Sequence, residues 1–170
     1  LGGDGGGGGR GGNVVLRSVI GGQIHVTTTK DSAFGIKLQS VGGGGGDAQL
    51  TTSNTTGSPT AFFKFGSSNS IAGKGGTAGG AGQVSLGIQN TASDVKVTTE
   101  GNNSTAILLQ SVGGGGGTGG STNTGPAVDN LEFDFNYGGK GGGGGSGGSV
   151  YINSNVDVQT NGQSSPGILM

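Results

Sequence analysis

The side chains that could do chemistry in this chain are few and poorly placed for it. His25 is the only histidine and there is no cysteine, whereas a zinc site of the usual kind needs several such ligands. His25 alternates with Ile24 and Val26. Related stretches further along carry Lys96 and Asp157 at its place, which is the pattern of a solvated position. The carboxylates Asp4, Asp31, Asp47, Asp94, Glu100, Asp129, Glu132, Asp134 and Asp157 are scattered. Glu132 and Asp134 sit two apart on one face of an alternating run, again a solvated face, and no pocket signal makes them the opposed pair that glycoside hydrolysis uses. Gly73-Lys74-Gly75-Gly76 and Gly139-Lys140-Gly141-Gly142 lack the Ser or Thr after Lys, and the following helix, that a phosphate-cradling loop needs. Gly2-Gly3-Asp4-Gly5-Gly6 is only an echo of a calcium-binding Gly-Asp repeat, and no serine nucleophile with a base is evident. No enzyme activity, catalytic residue, metal site or cofactor is expected.

Composition narrows the class further. Gly contributes 46 of 170 residues, hydrophobic residues only 28% and aromatics 5%. An ordinary globular core needs more apolar mass, so the choice lies between a disordered and a fibrous or repetitive chain. With 8 basic and 9 acidic residues and a net charge of −1, there is no basic patch to hold nucleic acid. Collagen is excluded because Gly does not recur strictly every third residue and there are only three Pro. The lack of cysteine removes disulfide staples. No apolar run approaches the ~20 residues that span a bilayer. The chain starts at Leu1 and stops at Met170 in mid-pattern, so it reads as an internal piece of a longer protein, with any membrane contact made through a region outside it.

The elements that would position these residues are repeats. LQSVGGGGG occurs at 38–46 and again at 109–117. Ile36-Lys37-Leu38 aligns with Ile107-Leu108-Leu109 and with Ile168-Leu169-Met170. Upstream at a fixed distance, Ile24-His25-Val26-Thr27-Thr28 aligns with Val95-Lys96-Val97-Thr98-Thr99 and Val156-Asp157-Val158-Gln159-Thr160. A unit reading apolar-x-Val-x-Thr, seven turn-rich residues, then Ile-x-Leu/Met thus recurs at 24–38, 95–109 and 156–170. A looser block aligns Phe63-Lys64-Phe65 with Phe133-Asp134-Phe135. Val14-Val15-Leu16, Val84-Ser85-Leu86 and Val150-Tyr151-Ile152 match likewise. The divisions are a partial repeat at 1–46, a full repeat at 47–117 and a partial repeat at 118–170, all in one continuous array.

Period-two alternation marks strands. It is clearest over Leu131–Tyr137 and also sets Ile24, Val26 and Thr28, then Ile36, Leu38 and Ser40, on shared faces. Helix signals are nearly absent, and Gly at this density costs a helix about 1 kcal/mol per residue. The expected fold is all-β: a parallel β-helix or β-solenoid built from repeats of about 61–71 residues, with glycine-rich turns or extended polyglycine segments. Each repeat holds at least three strand clusters, or three turns of roughly 20–25 residues. The core of the stack is predicted at Ile24, Val26, Ile36, Leu38, Val95, Val97, Ile107, Leu109, Val156, Val158, Ile168 and Met170.

The glycine runs, Gly5–Gly9, then Gly42, Gly43, Gly44, Gly45 and Gly46, again Gly113, Gly114, Gly115, Gly116 and Gly117, and Gly141–Gly145, admit three readings. They are flexible linkers, tight corners where side chains would clash, or extended segments packed against their counterparts in neighbouring repeats or chains, as at collagen's glycine-lined axis. Their repetition favours the last two. Gln39 and Gln110 recur at one register and suit a stacked amide ladder. The column Thr28, Thr99, Thr160 is a thin version of a flat ice-binding face. Phe34 and Tyr151 are the aromatics that a glycan site would use, although both also suit a core.

The unit Ser32-Ala33-Phe34-Gly35-Ile36-Lys37-Leu38-Gln39-Ser40-Val41 with Gly42–Gly46 resembles the glycine-rich repeats of large bacterial autotransporter-type surface proteins. The second copy is Ser104 to Val112 with Gly113–Gly117, and it has Ala106 where that pattern carries Gly. Ser165-Pro166-Gly167-Ile168-Leu169-Met170 begins a third. The resemblance covers essentially the whole chain. It implies a secreted β-helical passenger at the Gram-negative cell surface, with adhesion, biofilm or fibre formation as its role. Self-association into an oligomer or filament is the expected partnership, with a host or matrix glycan as the alternative ligand.

Overall fold

The structure, a computed structural model, describes residues 2–17, 22–49, 51–53, 70–87, 94–124 and 136–170. The Phe63–Phe65 and Phe133–Phe135 blocks, and the alternating run up to Phe135, lie outside these. Thirteen short strands occur in the described residues, and no helix. They are β1 (Val14–Leu16), β2 (Gln23–Thr28), β3 (Phe34–Val41), β4 (Thr51–Ser53), β5 (Ser70–Ile71), β6 (Val84–Leu86) and β7 (Asp94–Thr99), followed by β8 (Thr105–Val112), β9 (Thr122–Thr124), β10 (Asn136–Tyr137), β11 (Val150–Ile152), β12 (Asn155–Thr160) and β13 (Ile168–Leu169). Every strand pairing is parallel, and every partner is the equivalent residue one repeat away.

The chain forms two compact units, each assembled from three separate stretches: 1–9, 43–79 and 114–145 in the first, and 10–42, 80–113 and 146–170 in the second. The second unit holds three three-stranded sheets, β1-β6-β11, β2-β7-β12 and β3-β8-β13. Ile24 pairs with Val95 and Val95 with Val156; Ile36 pairs with Ile107 and Ile107 with Ile168. One pass of the chain therefore consumes a whole repeat, not the 20–25 residues expected for a turn. The extra length is the chain that runs through the first unit.

Alternation decides what the second unit buries. In β7 the pattern is exposed–buried, with Val95 and Val97 inward. Val84, Leu86, Val95, Val97, Ala106, Ile107, Leu109 and Ile36 make the buried cluster, and Ile24, Val26, Leu38, Val156 and Val158 pack against it, half-buried. The middle pass is fully covered because a pass lies on each side of it, and a core one pass deep needs little apolar mass. The outermost positions fare differently. Ile168 is 42% and Met170 74% exposed, so these two expected core residues are solvated. Between the second and third sheets the chain turns through a left-handed residue at the same place in every pass, Ser32, Asn103 and Ser164, with φ of 56°, 54° and 52°.

The first unit contains β4 paired with β9, β5 paired with β10, and the glycine segments. These segments are neither linkers nor corners. Gly5 and Gly8 N–H donate to the Lys74 and Thr77 carbonyls, and Gly75 and Ala78 N–H to Lys140 and Gly143. Bonding to one neighbour at every third residue is the period of a polyproline II helix, which has three residues per turn and no internal hydrogen bonds. Segments 3–9, 73–79 and 139–145 run parallel to one another. Segments 43–46 and 114–120 run against them, as the bonds from Gly43 to Gly9 and from Gly46 to Gly6 require.

Candidate functional site

The glycine bundle is the most distinctive arrangement of the first unit, and its chemistry is that of the backbone. Segment 73–79 bonds to four neighbours. Gly76 and Gly79 N–H donate to Gly46 and Gly43, and Gly75 and Ala78 to Lys140 and Gly143. Its carbonyls accept from Gly5 and Gly8 on one side and from Gly114, Gly117 and Gly120 on another. A backbone buried without strand partners is thereby satisfied. Close approach is what makes glycine obligatory. A Cβ on Gly76 would fall on the Gly6 carbonyl oxygen, one on Gly45 on that of Gly76, one on Gly117 on that of Gly46, and one on Gly116 on that of Gly142. Gly115, by contrast, has nothing within 4 Å of a Cβ, and Gly44 has only the Gly115 oxygen at 3.5 Å. Gly42 belongs to the second unit and donates to the Val112 carbonyl; Gly113 follows Val112 in that unit.

Side chains extend the stitching from repeat to repeat. Gln39 Nε2 donates to Gln110 Oε1 at 2.9 Å on an exposed face, a two-residue amide ladder. In the first unit the Lys74 N–H donates to Asp4 Oδ1 and the Thr118 N–H to Asp47 Oδ1, both at 2.7 Å. The Thr118 amide, together with the Thr118 hydroxyl, holds the Asp47 carboxyl below its ordinary value, with a small opposing effect of desolvation. In the second unit Asp31 and Asn102 accept the N–H groups of Asn102 and Gln163 in the same way. Asp4, Asp31 and Asp47, which looked scattered along the chain, are thus interrepeat hydrogen-bond acceptors. Each lies 70 or 71 residues from the amide whose N–H it accepts, and that repeat offset was the signal that could have found them.

The outward faces of the second unit hold the rest. His25, Lys96 and Asp157 form one exposed column across β2-β7-β12, and Lys96 Nζ lies 3.5 Å from Asp157 Oδ2, an ion pair of the weak surface kind. The Thr28–Thr99–Thr160 column faces the other way: Thr99 is fully buried and bonds the Ser104 carbonyl. It cannot serve as an external ice-binding surface. Outside the β1-β6-β11 sheet lies a groove of about 800 Å³. Val15, Ser85 and Tyr151 are paired across its floor, and Asn13, Gln83, Arg17, Gly87 and Asn153 line its ends. Asn13 Oδ1 accepts the Gln83 N–H at 2.9 Å, and Gly87, at φ +85°, sits where a Cβ would meet Ser154 and Asn153. Of the two aromatics picked out from the sequence, Tyr151 reaches this groove. Phe34 is 44% exposed elsewhere, with Lys37 Nζ 5.1 Å from its ring centre.

Among the described residues no three His, Cys, Asp or Glu side chains gather as metal ligands would, and no helix is long and apolar enough to cross a membrane. Comparison with protein-family models, with curated proteins and with solved structures finds no match to this chain.

Proposed function

We propose that the chain is a parallel β-solenoid segment of a bacterial cell-surface or extracellular protein, where it is a structural and adhesive element and not an enzyme. The observation that carries this reading is the stacking of equivalent residues from three repeats, in strands and glycine segments alike. Such a stack extends by adding passes and presents long regular faces. The likeness of its repeats to those of autotransporter-type passengers supports an outer-membrane surface location, with attachment through a region outside this segment. The test is immunogold labelling of the producing bacterium, paired with deletion of the segment. Label on the outer surface and lost adhesion or biofilm are expected; label confined to the cell interior, or unchanged adhesion and biofilm, sinks the reading.

A second reading rests on the groove. A half-buried tyrosine ring offers a sugar its apolar face, Asn13, Gln83 and Asn153 offer hydroxyl partners, and Arg17 is the single charged group lining the groove among the described residues, suited to a carboxylated sugar. Binding of acidic glycans that disappears in Tyr151→Ala and Arg17→Ala is the expected result. Equal binding by the parent and both variants removes the groove as the site.

A further inference from the structure

The groove over the β1-β6-β11 sheet follows the middle strand. Val15, Ser85 and Tyr151 stand side by side across it, and two strand spacings set Val15 and Tyr151 about 10 Å apart. The small residue between them makes the surface concave: Ser85 is 2% exposed, whereas Val15 is 48% exposed. Two residues further on, Gly87 lies between Arg17 and Asn153, because the bonds from the Gly87 N–H to Leu16 and from the Asn153 N–H to Leu86 carry the register past the strand ends. Its φ of +85° and the nearness of Ser154 and Asn153 keep a side chain out, so the floor stays open there as well. The middle pass is thus the floor, and the passes on either side are the walls.

The floor carries a polar group that the chain does not satisfy. The Ser85 hydroxyl lines the groove and has no hydrogen-bond partner among the described residues. Leaving a buried hydroxyl unpaired is costly, and the groove is the side from which a partner can reach it. The Gln83 and Asn153 side-chain amides and the Arg17 guanidinium line the same groove, and they too have no partner among the described residues. The neighbouring β2-β7-β12 sheet is built differently. There Asp94 accepts from Asn155 at 3.2 Å, Glu100 accepts from Asn161 at 3.0 and 2.9 Å, and Lys96 pairs with Asp157. Outward polar groups on that sheet meet one another from pass to pass, whereas those of the groove converge on open space.

We infer that the groove holds one pyranose ring bearing a carboxylate, and that Ser85 is the residue that reads its hydroxyl. The ring lies over Ser85 between Val15 and Tyr151, with its apolar face on the tyrosine and one ring hydroxyl bonded to Ser85 Oγ. The carboxylate lies over Gly87, where Arg17 supplies a charge-assisted donor from one wall and Asn153 Nδ2 a second donor from the other. Gln83 meets a hydroxyl at the opposite end. This assignment rests on the groove reading above, and narrows acidic glycans to a single acidic ring selected by a hydroxyl as well as by its charge. Such a ring occurs as a uronate within a chain and as a terminal sialic acid.

NMR titration of the 170-residue chain with four probes tests it: methyl glucuronide, sialyllactose, the neutral methyl glucoside, and cyclohexanecarboxylate, which keeps the ring and charge but has no hydroxyl. The parent is expected to bind an acidic sugar at least about tenfold tighter than the glucoside or cyclohexanecarboxylate, and the acidic sugar preferred identifies the source. Ser85→Ala is expected to lose the preference over cyclohexanecarboxylate and to keep the preference over the glucoside. Ser85→Val, which places on the floor the residue that Val15 already puts at this register, is expected to abolish binding with the melting curve unchanged. A parent that binds cyclohexanecarboxylate as tightly as the acidic sugars overturns the inference without any variant. Ser85 variants with the parent's affinity and selectivity overturn it too, and if Tyr151→Ala and Arg17→Ala still lose binding, the groove reading stands without it. A parent that binds neither acidic sugar ends both.

Discussion

Ser40 Oγ accepts the Gly82 N–H at 2.8 Å while donating to the Gly12 carbonyl at 2.8 Å. One hydroxyl thus joins β3 to two glycine-rich stretches of the second unit. Ser111, the same motif position one repeat later, takes the Gly148 N–H at 2.7 Å and donates to the Gly82 carbonyl at 2.8 Å. The serine of the LQSVGGGGG motif is therefore a bridge, and it faces inward because it shares a face with Ile36 and Leu38. Ser40→Ala leaves an amide and a carbonyl without partners at a site only 3% exposed. A loss of about 1–3 kcal/mol is expected in urea unfolding. No change in midpoint would show the bridge to be dispensable.

Neighbouring glycines should respond in opposite senses. A Cβ on Gly142 meets the Gly76 carbonyl, whereas Gly143 has nothing within 4 Å. Gly142→Ala is expected to destabilise by about 1–3 kcal/mol, as overpacking against rigid backbone does. Gly143→Ala should be neutral or stabilising by about 0.4–1 kcal/mol, because the unfolded chain loses freedom and the extended backbone accepts alanine. Equal effects in thermal melts would mean that the bundle is not close-packed.

One sequence position, read in three passes, should give three costs. Leu109 is fully buried, Leu38 is half-buried and Met170 is 74% exposed. Truncation to Ala is expected to cost about 2–5 kcal/mol at Leu109, less at Leu38, and within about 0.5 kcal/mol of nothing at Met170. Equal costs in the three denaturant curves would contradict the placement of the core in the middle pass.

The Asp47 carboxyl lies below its ordinary value of 3.8 because the Thr118 amide, and then the Thr118 hydroxyl, hydrogen-bond its charged form. Its folded value is the lower one. The stabilisation is therefore complete above the unfolded value and is lost as pH falls through the folded value. Carboxyl NMR should show Asp47 titrating below free aspartate, and Asp47→Asn should flatten the stability curve at that acidic end. Titration at or above the ordinary value would remove the Asp47–Thr118 bond from the folded state.

The strand pairings were legible because each recurring block carries its own alternation. Ile24, Val95 and Val156 can be laid over one another without knowing the fold, and they are in fact paired. The length of a pass was not legible, because neither alternation nor composition tells a turn within a repeat from a detour through a second packed unit. The glycine segments were ambiguous for another reason: a run of five glycines conceals which of them meet a carbonyl. Their period shows only where other residues intrude, as in Gly73, Gly76, Gly79 and Gly82 with Lys74, Thr77, Ala78 and Ala81 between them. The left-handed turn at Ser32, Asn103 and Ser164 was hidden because only Asn103 has a residue type enriched there. The groove escaped notice because Arg17, Gln83 and Asn153 become neighbours only when three passes are stacked.

The uneven lengths of the repeats have an evolutionary consequence. Sixteen residues separate β4 from β5 but eleven separate β9 from β10, and seven separate β6 from β7 but two separate β11 from β12. The strands on either side of each junction nevertheless stay in register. A difference of five residues is absorbed at each of these junctions. A single residue gained or lost inside a glycine segment would instead rotate everything after it by a third of a turn, and would carry Lys74 or Thr77 onto a neighbour's carbonyl. Drift in length is thus channelled into the junctions, and new binding loops can be acquired there while the stack keeps its count.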